Sequence, residues 1–264
     1  MKGSKVIRIR VLIGFAIFFS AWLVVWGVKN IKTASQAELF SSSSELTVVS
    51  KITGLPEAGT YQLHKIFPVP ENMVLDSKGK LQPVSKYTKG KTTLLTFFYQ
   101  RCSDIDGCPY AMGLFHQVKN QLEKNESTVD SVRFVHISFD PDRDTPMMMA
   151  GLEKRNTSLK GHKKNIEWDF LTTASVDKLM PLIDGFGQNV DVNMDPVTGD
   201  PSLNYSHVLK VFLIDEEGFV REIYSTYYLS AEMLLNDIET LALEKKKLRQ
   251  NYNKKLKVIE YENL

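Results

Sequence analysis

An α/β domain on a mixed sheet with helices on both faces, preceded by one transmembrane helix, is the fold class that the sequence predicts. Three observations carry the prediction. Residues 11–28, VLIGFAIFFSAWLVVWGV, contain no charge. Two continuous apolar, β-branched and aromatic runs, TTLLTFFY (92–99) and VRFVHISF (132–139), have the pattern of strands buried on both faces. Between them lies a helical pattern opened by Pro109, with Met112, Phe115, Val118 and Leu122 on one face. The 264 residues suffice for one large domain with appendages. At 43% hydrophobic and 24% charged, the composition excludes collagen-like, disordered and multi-pass membrane classes. A net charge of +2 gives no reason to expect a nucleic-acid partner. Two cysteines exclude a disulfide-dense scaffold and four-cysteine zinc sites.

Lys2, Lys5, Arg8 and Arg10 precede the apolar run, and only Lys29 and Lys32 follow it closely. That bias directs the N-terminus to the cytoplasm and the remainder outward. As a helix, 11–28 spans about 27 Å, enough for the hydrocarbon core. The alternative is a cleaved signal peptide. Its apolar core is normally about 7–15 residues long and ends in a small-x-small site; Ala34 and Ala37 have the wrong spacing. The expectation is a single-pass protein of a bacterial inner membrane, its soluble domain facing the periplasm. Residues 1–10 are then a basic cytoplasmic end, 11–28 the anchor, 29–59 a Ser- and Thr-rich tether, 60–243 the folded domain and 244–264 a basic helical tail.

Within the domain, 61–66 and 72–76 are expected to pair as short strands, with Ser77–Lys80 supplying a turn. After the second buried strand, Asp140-Pro141 ends it and Thr145-Pro146 opens a helix to about Asn156. Trp168–Leu171 is a short extended piece, and Ser175 caps a helix to about Phe186. The Gly, Asn, Asp and Pro of 187–206 read as a long loop. Residues 208–215 and 219–225 flank Glu216-Glu217-Gly218, a hairpin signal, and a long helix from Ser230 runs into the tail. A strand, a cysteine-bearing turn and a Pro-opened helix in succession are thioredoxin-like in layout.

The chemistry concentrates in Tyr99-Gln100-Arg101-Cys102-Ser103-Asp104-Ile105-Asp106-Gly107-Cys108-Pro109. With Pro109 first in the helix, Cys108 takes the N-cap, where free N–H groups and the helix dipole stabilise a thiolate. The loop can fold the sulfur of Cys102 toward it. Two such thiols form a structural disulfide, cycle in redox chemistry or bind a soft metal. Of the histidines, His136 falls inside a buried strand, His116 lies two turns along the helix, and His64 and His162 read as surface residues. His207 ends the long loop and immediately precedes the strand 208–214, a junction that can sit at the sheet end beside a cysteine loop. Two thiolates and one imidazole suit Cu(I), and hold Cu(II) with an added weak ligand. Asp104 and Asp106 are hard donors, poorly matched to Cu(I). Arg143 is expected to pair with Asp140, and Asp144 to cap the helix that follows, with a supporting role beside the cysteine loop as the alternative.

The stretches Phe97–Cys102, Cys108-Pro109, Val135–Pro146 (VHISFDPDRDTP), and Ser206-His207 followed by Val211–Asp215 resemble the Sco/SenC family over about residues 60–230. The resemblance implies a membrane-anchored thioredoxin fold that binds one copper with two cysteines and a histidine: Cys102, Cys108 and His207 by position. It further implies delivery of copper to, or thiol reduction at, the dinuclear copper site of cytochrome c oxidase. The partners implied are that copper-site subunit and a copper donor or thiol reductant. The family spaces its cysteines by three residues; this chain has five, which lengthens the loop without preventing convergence. A membrane-tethered thiol–disulfide oxidoreductase without obligatory metal, its catalytic pair Cys102 and Cys108, is the alternative function.

Overall fold

Every residue of Thr92–Phe98 is buried. A strand covered on both faces belongs at the centre of a sheet, and the computed structural model places it there. The structure describes residues 54–102, 104, 107–157, 165–194, 201–225 and 228–262. In chain order the strands are β1 (Phe67–Pro68), β2 (Met73–Leu75), β3 (Leu81–Pro83), β4 (Thr92–Phe98), β5 (Val132–Ser138), β6 (Glu167–Leu171), β7 (Val190–Met194), β8 (Pro201–His207), β9 (Lys210–Ile214) and β10 (Phe219–Ser225). The helices are α1 (Ser85–Thr88), α2 (Cys108–Leu122), α3 (Glu126–Val129), α4 (Pro146–Thr157), α5 (Val176–Gly185) and α6 (Ala231–Glu262).

The main sheet has the order β1-β10-β9-β4-β5-β6. β4, β5 and β6 are parallel, and the β9–β10 hairpin returns antiparallel against β4. Parallel neighbours need a crossover, and α2 supplies the one between β4 and β5. Its Phe115 packs on Phe134 and His136, at ring separations of 5.1 and 4.6 Å. On the opposite face Phe97 and Phe212 meet Phe186, just past α5, at 5.4 and 4.8 Å. α6 joins the α2 side, where Asp237 accepts the Tyr224 hydroxyl of β10 at 2.6 Å. The result is a thioredoxin-like mixed sheet flanked by helices. The compact unit is Pro56–Leu264, and its buried apolar residues run from Leu63 to Leu241. This unit therefore carries a complete core of its own.

Three expectations change. The Asp76–Lys80 turn joins β2 to β3 rather than to 61–66, and Phe67 pairs with Val220 of β10. Residues 187–206 hold the β7–β8 hairpin, Val190 opposite His207. Its strands alternate apolar with polar residues, but they are short, stand outside the main sheet and enclose Asp195-Pro196 and Gly199-Asp200, so the composition of the stretch reads as loop. The helix after the cysteine loop begins at Cys108, with Gly107 in the cap position. First-turn N–H groups have no intrahelical partner, so Pro109 fits as well in the second position as in the first.

The expected basic end 1–10, the anchor 11–28 and most of the 29–59 tether lie outside the described residues, as do His162 and Asp106. Among the described residues no helix is long and apolar enough to cross a membrane.

Candidate metal centre

β4 ends at Phe98, and the chain turns at once: the Cys102 N–H donates to Tyr99 O at 3.2 Å. Gly107 N–H closes a second turn on Asp104 O at 3.1 Å. A Cβ on Gly107 would stand 3.0 Å from Asp104 Oδ2 and 3.3 Å from Asp104 O, which explains a glycine at this close approach. Cys108 then opens α2. His207 arrives from the other direction, as the last residue of β8 and three residues before β9, which pairs with β4. The ligand atoms of Cys102, Cys108 and His207 all lie within 4.8 Å of one another, and Cys108 Sγ is 3.8 Å from His207 Nε2. Donors at about 2.0–2.3 Å from one ion in a trigonal plane stand about 3.5–4 Å apart. The group therefore fits a single small ion with little movement.

The two thiols share a proton unequally. The hydrogen bond from Cys108, backed by N–H groups of Cys108 and Asp104 and the charge of His207, lowers the Cys102 pKa to about 5 against the opposing effect of burial. That hydrogen bond and deeper burial raise the Cys108 pKa. At neutral pH the metal-free pair is one thiolate and one thiol. Two thiolates with one imidazole form a soft set suited to copper, and the three donors grouped among the described residues are one short of a closed zinc site.

Aromatic rings wall the imidazole: Phe139 at 4.9 Å and Tyr99 at 6.0 Å. Tyr205, two residues before His207, packs on Tyr99 at 5.2 Å and Phe139 at 5.3 Å and donates its hydroxyl to Asp140 Oδ1 at 3.2 Å. Asp140 in turn pairs with Arg143 at 2.5 Å, and the Arg143 guanidinium lies 5.3 Å from the Tyr205 ring. Asp144 does something else: its Oδ2 accepts the Gln100 N–H at 3.0 Å and the Ser138 hydroxyl at 2.6 Å. It ties the start of the cysteine loop to the end of β5, which is the supporting role rather than the helix cap. Burial raises the Asp144 pKa against these donors.

The other expected candidates fall away from the centre. His136 is buried and accepts Trp168 Nε1–H at 3.0 Å. His116 packs on Trp168 at 4.8 Å, and His64 is exposed. Asp104 is exposed, and its carboxylate is outside the three-donor group. Tyr205 is the residue that sequence reasoning missed. The one signal available was its position two residues before His207, which on a strand puts both side chains on the same face.

The SCO1/SenC family model matches residues 73–243. Two solved structures are similar in fold. A SCO1/SenC family lipoprotein from Bacillus anthracis is 22% identical with a TM-score of 0.52, covering 67% of this chain and 95% of its own. Arabidopsis thaliana ScoI with copper bound is 20% identical with a TM-score of 0.51, covering 68% of this chain and 97% of its own. Curated proteins offer no match. Since the family match runs from β2 into α6 and takes in both cysteines and the histidine, the chain belongs to the SCO1/SenC family.

Proposed function

We propose that this chain is a copper metallochaperone. It holds one copper ion with Cys102, Cys108 and His207 and delivers it to the dinuclear copper site of a cytochrome c oxidase. The convergence of the three donor atoms within 4.8 Å is the observation that carries the reading. Family membership supports it, as does the copper held by Arabidopsis thaliana ScoI. Copper here is cargo, so its site must both hold and release. Cys102 is already a thiolate at neutral pH, and Cys108 gives up its proton as the ion binds. Cys102 and His207 are only partly buried, so the ligands of an acceptor can approach the ion. The copper-site subunit of the oxidase is the acceptor this reading names. A charge-free 11–28 anchoring the chain in a bacterial inner membrane, with the domain in the periplasm, would keep the two proteins on one surface.

Titration of the reduced protein with Cu(I) tests the proposal. One equivalent is expected to bind, and Cys102→Ser, Cys108→Ser or His207→Ala each to weaken binding more than about 100-fold, beyond what loss of a supporting contact produces. Absence of stoichiometric binding would end the reading.

One observation favours a second function, thiol–disulfide exchange: the lowered pKa of Cys102 beside the protonated Cys108. The Cys102 thiolate attacks a partner disulfide, and Cys108 then displaces the partner's second sulfur. The partner leaves as a dithiol, Cys102–Cys108 is left oxidised, and a thiol reductant restores it. Reductase activity that survives in His207→Ala, with copper binding lost, would select this function over the first.

A further inference from the structure

The face of α6 that packs on the domain continues past the domain's edge. Leu234, Ile238 and Leu241 are buried on it. Leu248, Tyr252 and Leu256 extend the same line at helical spacing, yet are 62%, 62% and 47% exposed. Lys245, on that line between the two sets, turns aside to Glu216 at 2.5 Å, and Lys247 Nζ reaches Gly59 O at 3.4 Å. From there the helix runs on to Glu262. Between Lys245 and Lys257 it carries seven Lys and Arg residues and no acid.

Charge decides what can cover this stripe. A second copy of the chain would set its seven cations against the same seven. The chain's own 29–53 carries Lys29, Lys32 and Lys51 against Glu38 and Glu45, and offers no acidic complement. A groove on an acidic protein would match the apolar side and leave cations around the rest of the helix unpaired. An anionic lipid surface matches both features. The apolar stripe enters the acyl boundary, the long Lys stems reach back to the headgroups, and Tyr252 sits at interfacial depth. We infer that residues 248–257 are an interfacial helix that seats this domain on an anionic lipid surface.

The inference goes beyond copper handling and does not require the 11–28 segment. It also orients the domain. The helix leaves beside Glu216, at the sheet end where β4 begins, and the Cys102–Cys108–His207 group lies at the end where β4 finishes. A seven-residue strand separates them by about 23 Å, so docking through the tail turns the metal centre away from the lipid.

The test uses residues 54–264, which hold the complete core, with vesicles of phosphatidylcholine alone or with about one third phosphatidylglycerol. Sedimentation with the anionic vesicles only is expected, weakening more than about ten-fold as NaCl rises from about 0.05 to about 0.5 M. Tyr252→Trp should shift its emission to the blue on binding, against a constant background from the buried Trp168. Leu248→Glu combined with Leu256→Glu should abolish binding, while unchanged Cu(I) stoichiometry verifies the fold. Failure to bind anionic vesicles overturns the inference. So does binding that survives the double change with no blue shift, since that is a polybasic contact alone. Preferential capture by polyglutamate, or a lipid-free dimer that the double change dissolves, overturns it in favour of a protein occupant.

Discussion

His136 occupies the middle of β5 with 1% of its surface exposed. Its Nδ1 accepts from Trp168, so the ring is neutral with its proton on Nε2. Nε2 has no hydrogen-bond partner among the described residues and lies amid Phe98, Phe115 and Phe170. Burial, aided by the nearby His116, pushes the pKa down to about 3. In the unfolded chain a histidine titrates near 6.5. Between these values the unfolded state binds a proton that the folded state refuses, so stability falls as pH drops through the window. From pH 7 to pH 5 the loss is about 2 kcal/mol, read as a lower guanidinium midpoint for residues 54–264. His136→Phe should flatten that dependence, while leaving Trp168 Nε1–H unpaired costs about 1–3 kcal/mol at every pH. An unchanged slope in the variant would remove His136 as its source. The apolar strand around this residue made its burial legible in the sequence. Its partner was not legible, because the Trp168 contact spans 32 residues and follows only once β5 and β6 are in register.

The β7–β8 hairpin shows where composition hides a local pattern. VDVNM and PSLNYSH alternate apolar with polar residues, but the runs are short, lie among Asn, Asp, Gly and Pro, and form a two-stranded sheet by themselves. Such ribbons are marginal without outside support, so composition alone reads as loop. The support comes from Tyr205, whose ring packs on Tyr99 and Phe139 and whose hydroxyl reaches Asp140. Through Tyr205 the Asp140–Arg143 pair acts on His207 from a different element. This makes Tyr205 a positioning residue for the imidazole, with a consequence for copper retention. Tyr205→Phe keeps the ring contacts and removes one hydrogen bond of about 1 kcal/mol, a factor of about five. Transfer of bound Cu(I) to an excess of chelator should accelerate by roughly that factor, with the stoichiometry still one and the thermal midpoint nearly unmoved. An unaltered transfer rate would mean that Tyr205 packs the hairpin without holding His207.

For the whole molecule, the candidate site is a product of the completed sheet. Cys102 follows β4, Cys108 opens α2 and His207 ends β8, so their donor atoms meet only when β9 pairs with β4. The long buried strands and the motif residues were readable one by one. Their meeting was readable through family resemblance, since no spacing rule joins two cysteines to a histidine 99 residues away. The sheet in turn depends on the first half of α6. Leu234, Ile238 and Leu241 are buried, and Asp237 accepts the hydroxyls of Tyr61 and Tyr224. Glu244 meets Arg221 at 2.8 Å, and that arginine also bonds Asp215 and Leu63 O. Burying three such aliphatic side chains contributes about 5–9 kcal/mol as an upper estimate, comparable to the net stability of a domain. A chain of residues 54–230 should therefore lack cooperative unfolding and bind no stoichiometric Cu(I). A chain ending at Lys247 keeps these contacts and loses only the exposed extension. It should unfold at nearly the same denaturant midpoint as 54–264 and bind one Cu(I), but no longer sediment with anionic vesicles. Loss of copper binding in the 54–247 chain would show that the extension supports the metal centre itself, against the separation of the two ends of the sheet.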